Sequence, residues 1–253
     1  MARTIPIDSE ANERFRTWER LLDARGIKKH GAFLLAGRKT VPEALALVPE
    51  RFTAVLAPDQ AALDAIAPLL PDQVTRHLLA RPLFDRLDVS GTRLPILVGT
   101  VPPLALADLS APPHGLELVC ALGDPANLGA LLRSAAAFGV KRVLLLPEAA
   151  SPWHPKCLRA AANAVFRLDF ARVGAWAALA TAAGPVFALD GGGSDLTRFA
   201  WPDDLRLVLG EEGQGVPADL AVQRLGIPTT GAVESLNATV AAAIALQHWF
   251  GRG

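Results

Sequence analysis

Three stretches of this 253-residue sequence hold the residue types best suited to chemistry: DPANLGALLRSA at 124–135, GEEGQGVP at 210–217 and VESLNA at 233–238. The first supplies an amide at Asn127 and a guanidinium at Arg133. Asp124 or Asn127 can cap the helix that follows, and a helix starting near Asn127 puts Arg133 about two turns in. The second sets the Glu212 carboxylate among Gly210, Gly213 and Gly215, which reach backbone conformations closed to other residues and let a ligand come close to the main chain. The third places Ser235 and Asn237 at the head of an Ala-rich helix. Taken alone, each has a plain structural reading, as a capped helix with a surface arginine, an ordinary loop and a second cap. Brought to one sheet edge, they would form a site that binds a ligand through backbone groups and orients it with polar side chains.

Other chemistries lack their residues. GEEGQG has neither the GxGxxG spacing of a dinucleotide site nor the Lys-Ser/Thr of a P-loop. The glycine run in ALDGGGSDL at 188–196 leads past Asp203 and Asp204 into another strand rather than a long helix, and is read as a turn. The five histidines form no H-E-x-x-H or His-Asp pattern and no G-x-S-x-G occurs, so serine-hydrolase and metalloenzyme readings have no support. Cys120 and Cys157 stand apart from each other and from any His-Cys cluster, as packing residues of a reducing compartment do.

The composition is that of a compact globular protein: 51% hydrophobic, 20% charged, with no repeat or low-complexity tract. Basic and acidic residues balance at 25 each, which does not advertise a nucleic-acid partner. Through Arg51, however, ten Lys/Arg stand against seven Asp/Glu, a local net of about +3 that a solvated helix face would also explain. The N-terminus has no apolar signal core, and no apolar run approaches the roughly 18 residues that span a membrane, so a cytoplasmic protein with no membrane partner is expected.

The alternation of patterns predicts an α/β chain. The first part reads as a helix over 11–24, a strand at 32–35, a helix at 41–47, a strand at 52–58, a helix at 60–70, and strands at 74–80 and 94–101. Two Pro-Pro pairs in PPLALADLSAPPHG mark extended backbone and place a linker at 103–115 between a domain at 1–102 and another at 116–253. The second part reads as strands at 116–122, 142–146, 165–169, 185–190 and 205–210. Between and after them come helices at 127–138, 155–164 and 174–183, a short helix after Pro217, and a last helix at 237–249. Strands alternating with helices imply a mostly parallel sheet covered on both faces, with ligands at the carboxyl ends of its strands.

In order and spacing the three loops resemble the SpoU/TrmH family of RNA ribose 2′-O-methyltransferases, within the SPOUT superfamily. Its first motif, N-x-G-x-x-x-R-[S/T]-A after Asp-Pro, is met by Asp124-Pro125, Asn127, Gly129, Arg133, Ser134 and Ala135. The second, G-x-E-x-x-G after an apolar strand, is met by Gly210, Glu212 and Gly215; the third by Ile227-Pro228 and Ser235-Leu236-Asn237. Between them Pro155, Lys156, Arg159 and Ala160 match a Pro-Lys…Arg-Ala segment. Residues 15–45 resemble, more loosely, the family's small ribosomal-protein-like substrate-binding domain, with Ala36-Gly37 for its usual Glu-Gly. Ala161, Asn163, Thr229 and Thr239 depart from the family's frequent Ser, Gly, Met and Ser.

The resemblance implies a C-terminal SPOUT α/β-knot, a deep trefoil knot on a mostly parallel sheet and an exception to the rule that chains avoid knots, with a smaller N-terminal α/β RNA-binding domain. It implies S-adenosylmethionine as methyl donor, no metal, and a homodimer with the active site at its interface. Leu209, Gly210, Ile227, Leu236, Asn237 and Leu189 would bind the donor, with Asp190 a further adenosine neighbour. Arg133, Asn127, Glu212, Ser235 and Asn237 would form the catalytic set. Arg25, Lys28, Lys29, Arg38, Lys39, Lys156 and Arg159 would bind RNA, ribosomal RNA ahead of transfer RNA. Methyl transfer to a hydroxyl is an in-line displacement that needs alignment and removal of a proton. A guanidinium keeps its proton, so Arg133 is expected to clamp phosphate and stabilise the developing alkoxide. A catalytically inactive RNA-binding relative would keep the same motifs; a nicotinamide oxidoreductase would need the phosphate fingerprint that is missing.

Overall fold

The computed structural model describes residues 3–252. The chain forms two compact units, one made of the residues up to Pro102 together with Ser151–Phe166, the other of Pro103–Ala150 and the residues from Arg167 onward.

In the first unit, β1 (Thr4–Ile7) precedes α1 (Glu13–Arg20), which is shorter than the helix expected over 11–24, and α2 (Ala24–His30), which was not expected. Asp23 separates the two: its backbone is extended and its carboxylate accepts from Gly26 N at 2.9 Å, which starts a new helix. There follow β2 (Ala32–Leu35), α3 (Thr40–Leu47), β3 (Phe52–Ala57), α4 (Gln60–Ile66), β4 (Thr75–Leu79), α5 (Arg81–Leu87) and β5 (Ile96–Thr100). The sheet order is β1-β4-β3-β5-β2, with β1, β4 and β3 parallel and β5 antiparallel to both β3 and β2. His77 on β4 is 1% exposed. Burial first, then the charge of Arg14, pulls its pKa from 6.5 down to about 4.

The second unit is built on β6 (Leu116–Cys120), α6 (Pro125–Ala137), β7 (Arg142–Leu145), β8 (Asp169–Arg172), β9 (Val186–Asp195), β10 (Leu205–Leu209), β11 (Gln223–Gly226) and the last helix. That helix, α8 after α7 (Pro155–Ala161) in chain order, spans Ala238–Phe250. All five strand pairs in the order β11-β9-β10-β6-β7-β8 are parallel, as the alternating pattern predicts. The central strands β6 and β10 are buried throughout, and their apolar runs Leu-Glu-Leu-Val-Cys and Leu-Arg-Leu-Val-Leu are each interrupted by one charge. Those charges pair. Glu117 and Arg206 are register partners, with Arg206 Nε donating to Glu117 Oε2 at 2.7 Å, and Arg206 is only 1% exposed. Arg206 also donates to the carbonyls of Ala183 (2.7 Å) and Ala111 (2.8 Å), while Arg142 donates to Glu117 Oε1 at 3.0 Å.

Two expectations about domain organisation change. The stretch 103–115 is extended, as its prolines dictate, but it is stitched to the second unit: Ala107 N donates to Arg172 O, Arg172 N to Ala105 O, and Gly115 N to Asp204 Oδ1 at 2.6 Å. The second change is that 151–166, α7 included, packs with the first unit instead of continuing the second. Rings explain it. Trp153 stacks on Phe33 with centroids 4.9 Å apart, and Phe166 packs against Trp153, Phe33 and Phe52, so both ends of the segment are anchored in one aromatic cluster. Ala162 and Asn163, at φ 47° and 67°, end α7, and Asn163 Nδ2 donates to Thr40 O and to Glu43. The helices expected at 174–183 and after Pro217 are a 3-10 segment (Trp176–Thr181) and a turn.

Two measurements test these assignments. Replacing Glu117 by Leu leaves the Arg206 guanidinium buried without its counter-ion, and should destabilise the fold by about 3–5 kcal/mol in urea unfolding. For His77, the unfolded chain takes up a proton near pH 6.5 that the folded chain refuses until about 4. Its contribution is therefore complete above pH 6.5 and is lost as the pH falls toward 4. In His77→Phe, unfolding midpoints between those limits should fall less steeply than in wild type.

Candidate active site

At the carboxyl edge of the parallel sheet a cleft of about 930 Å³ opens, all of its lining drawn from the second unit. Four strand ends build it. Asp124 and Asn127 follow β6, Leu189 to Gly192 lie in the middle of β9, Leu209 to Val216 end and follow β10, and Ile227 follows β11. The last side is the approach to α8, from Glu234 to Asn237.

The first helix is capped by Asp124, whose Oδ1 accepts from Ala126 N (2.9 Å) and Asn127 N (2.8 Å). The helix starts at Pro125, a first position that costs no hydrogen bond. Because Asp124 takes the cap, the Asn127 side chain is released, and its Nδ2 donates to Glu212 Oε1 at 2.8 Å. The other oxygen of Glu212 accepts from Asp124 N at 3.1 Å. One carboxylate thus ties the first stretch to the second. The third is tied as well, since Thr239 Oγ1 donates to Asn127 O at 3.2 Å. Asn237 caps α8, accepting from Thr239 N (2.9 Å) and Val240 N (3.3 Å), and still lines the cleft.

Glycine is required at two places. Glu211 and Gly215 exchange backbone hydrogen bonds of 3.1 and 2.9 Å, closing the loop so tightly that a Cβ on Gly210 would lie 2.1 Å from the Gly215 carbonyl carbon. Across the cleft, a Cβ on Gly193 would lie 2.5 Å from Leu225 C, and one on Gly226 2.8 Å from Gly193 O. Neither approach admits a side chain. The Gly191–Gly193 run, read above as a turn, therefore belongs to β9. Opposite it the register jumps, Arg224 facing Ala188 and Leu225 facing Ser194, so that 189–193 bulge out and present backbone to the cleft.

Of the residues singled out above, Asn127, Glu212, Ser235, Asn237, Leu209, Gly210, Ile227, Leu236 and Leu189 all line this cleft. Arg133 does not; it is exposed on α6. Arg25, Lys28, Lys29, Arg38, Lys39, Lys156 and Arg159 are exposed on the first unit. The cleft itself carries five carboxylates, at Asp124, Asp190, Glu211, Glu212 and Glu234, and no Lys or Arg among its lining residues. It suits a ligand bearing positive charge better than a polyphosphate. Sequence reasoning missed Gly191 and Gly192, although three glycines after an apolar strand are a usable signal, and it missed Arg224, which no motif marks. Cys120, at the end of β6, is fully buried, and desolvation pushes its thiol up to about 12, so it offers no nucleophile. Among the described residues no group of three or more His, Cys, Asp or Glu could hold a metal ion, and no helix is long and apolar enough to cross a membrane.

Comparison with known proteins agrees with this geometry. Residues 118–247 match the model of the SpoU rRNA Methylase family. The chain is 39% identical over 96% of its length to a Syntrophobacter fumaroxidans protein named Ribosomal RNA small subunit methyltransferase G 2, but spans only 48% of that protein. It is 27% identical to the Bacillus subtilis 23S rRNA (guanosine(2553)-2′-O)-methyltransferase RlmP, covering 96% of this chain and 98% of that one. Among solved structures, a putative RNA methyltransferase of the TrmH family from Porphyromonas gingivalis superposes with a TM-score of 0.76 at 26% identity, covering 95% of this chain and 98% of the other. With its three motif loops joined by hydrogen bonds around one cleft and its family match spanning the whole of that cleft, the chain belongs to the SpoU rRNA methylase family.

Proposed function

We propose that the protein transfers a methyl group from S-adenosylmethionine to a ribose 2′-hydroxyl of RNA, with ribosomal RNA as the substrate. The observation that carries this reading is the cleft: its walls are glycine backbone that a Cβ would fill, and its side chains are acidic without a basic residue among them. Such a site fits a sulfonium-bearing nucleoside and rejects a dinucleotide, whose pyrophosphate calls for backbone N–H groups at a helix start without carboxylates beside them. The donor supplies an activated methyl group carried on a positively charged sulfur.

The chain's own groups do the rest. Leu209, Gly210, Ile227, Leu236 and Leu189 hold the donor through backbone and apolar contact. Glu212 fixes the Asn127 amide, whose oxygen, with no hydrogen-bond donor among the described residues, is left to the incoming hydroxyl. Ser235 and Asn237 complete the polar wall. The phosphates of RNA need cations that the cleft lacks, and Arg133 on the exposed face of α6 meets that need as a clamp contributed to the cleft of a second copy of the chain. A homodimer with an interfacial site follows from this assignment. The basic residues of the first unit, Arg25 to Lys39 with Lys156 and Arg159, extend the RNA-binding surface, which makes that unit the substrate-binding domain. The segment after β10, which places β11 outside β9 and returns as α8 toward α6, is assigned the deep trefoil knot. The protein works in the cytoplasm, where its RNA is found and its two cysteines stay reduced.

The deciding experiment is donor-dependent transfer of labelled methyl groups to ribosomal RNA, with mass-spectrometric mapping of 2′-O-methyl ribose in a deletion strain and its parent. Loss of one site names the nucleotide; labelling of bases alone, or of no RNA, overturns the reading. Arg133→Ala should lower kcat/KM by about 10²–10³ and leave calorimetric donor binding intact. Gly210→Val, which forces a side chain into the Gly215 backbone, should abolish that binding.

A further inference from the structure

Resting on the donor reading above, we infer that Arg224 is a positioning residue that holds the two opposite walls of the donor cleft in register. It does not line the cleft. From β11 its Nη1 pairs with the Asp190 carboxylate and reaches Val216 O at 3.4 Å, while its Nη2 donates to Pro217 O at 2.7 Å. Asp190 belongs to the bulge 189–193, and Val216 and Pro217 end the glycine loop that begins at Gly210. Among the described residues, Arg224 is the one side chain hydrogen-bonded to both.

The need for such a clamp follows from how the walls are made. The bulge carries three consecutive glycines and packs main chain on main chain against β11, with Gly193 against Leu225 and Gly226 against Gly193. Opposite it, the 210–217 loop carries Gly213 and Gly215 at positive φ. Glycine backbone is the freest to move, and neither segment has another side chain spanning the gap. A guanidinium presents several donors in one rigid plane, which lets it meet a carboxylate and two carbonyls together. In return it orients Asp190. One oxygen of that carboxylate takes Arg224 and the other accepts from Gly192 N at 3.2 Å, so the group faces the cleft in a single orientation.

The test is calorimetric binding of S-adenosylhomocysteine to wild type, Arg224→Met, Arg224→Lys, Asp190→Asn and the Arg224→Met/Asp190→Asn double variant, together with melting temperatures and the Michaelis constants for donor and RNA. Arg224 and Asp190 are partly exposed, at 25% and 32% of their side chains. Arg224→Met should therefore melt within about 3 °C of wild type while binding the ligand about tenfold or more weakly. Lys, which offers a point charge and no fork, should recover part of the loss. The double variant should bind no more weakly than Arg224→Met alone, because the arginine acts in part through Asp190. The Michaelis constant for donor should rise and that for RNA should not. Wild-type affinity in Arg224→Met, or a loss shared equally by donor and RNA and accompanied by a fall in melting temperature, overturns the assignment. Wild type that fails to bind S-adenosylhomocysteine overturns the donor reading itself.

Discussion

The cleft exists because main chain is packed directly on main chain. Gly210 lies against Gly215 and Val216, Gly193 against Leu225, and Gly226 against Gly193, at separations no β-carbon could occupy. These contacts close the 210–217 loop on itself and seat the β9 bulge directly on β11. They also leave the walls lined by backbone donors and acceptors, which recognise a ligand by shape and hydrogen bonding without a side chain for each contact. The cost is conformational freedom, and the surrounding side chains offset it: Glu212 bridges the first and second loops, Thr239 the first and third, and Arg224 the second and the β9 bulge.

Beneath the cleft lies a different device. A parallel sheet covered on both faces leaves little room for charge, yet its two central strands each carry one, and the two are register partners. Buried ion pairs seldom add net stability over a well-packed apolar pair. Here the pair has a second use, because the remaining donors of Arg206 take the carbonyls of Ala111 and Ala183 and so fasten the extended 103–115 stretch to the sheet.

Much of this was legible in the residues. Strand and helix patterns located most of the elements, because an apolar run of a few residues bounded by Gly, Pro or Asp leaves few alternatives, but β1, α2 and α5 had no expected counterpart and the strand read at 165–169 begins only at Asp169. The unexpected helix α2 depends on one local cap, at Asp23, and the stretch expected as a helix after Pro217 closes as a turn, Leu220 N donating to Pro217 O. The departure of 151–166 from the second unit could not be seen in sequence. It depends on Trp153 and Phe166 finding Phe33 and Phe52, more than a hundred residues earlier, and aromatic residues in a pattern do not announce which partner they will meet.

The sequence by itself determined the α/β class, the three loops and the residue types they bring, since glycine, caps and apolar runs act through their immediate neighbours. Only the tertiary structure decided how those residues divide their work. It gave the cap to Asp124 and so freed Asn127 for Glu212, moved the glycine run of β9 from a turn to a wall of the cleft, gave Arg224 its partners, and kept Arg133 outside the cleft. Each of those outcomes is a choice between hydrogen-bonding partners distant along the chain, and such a choice is made only when packing brings the candidates together.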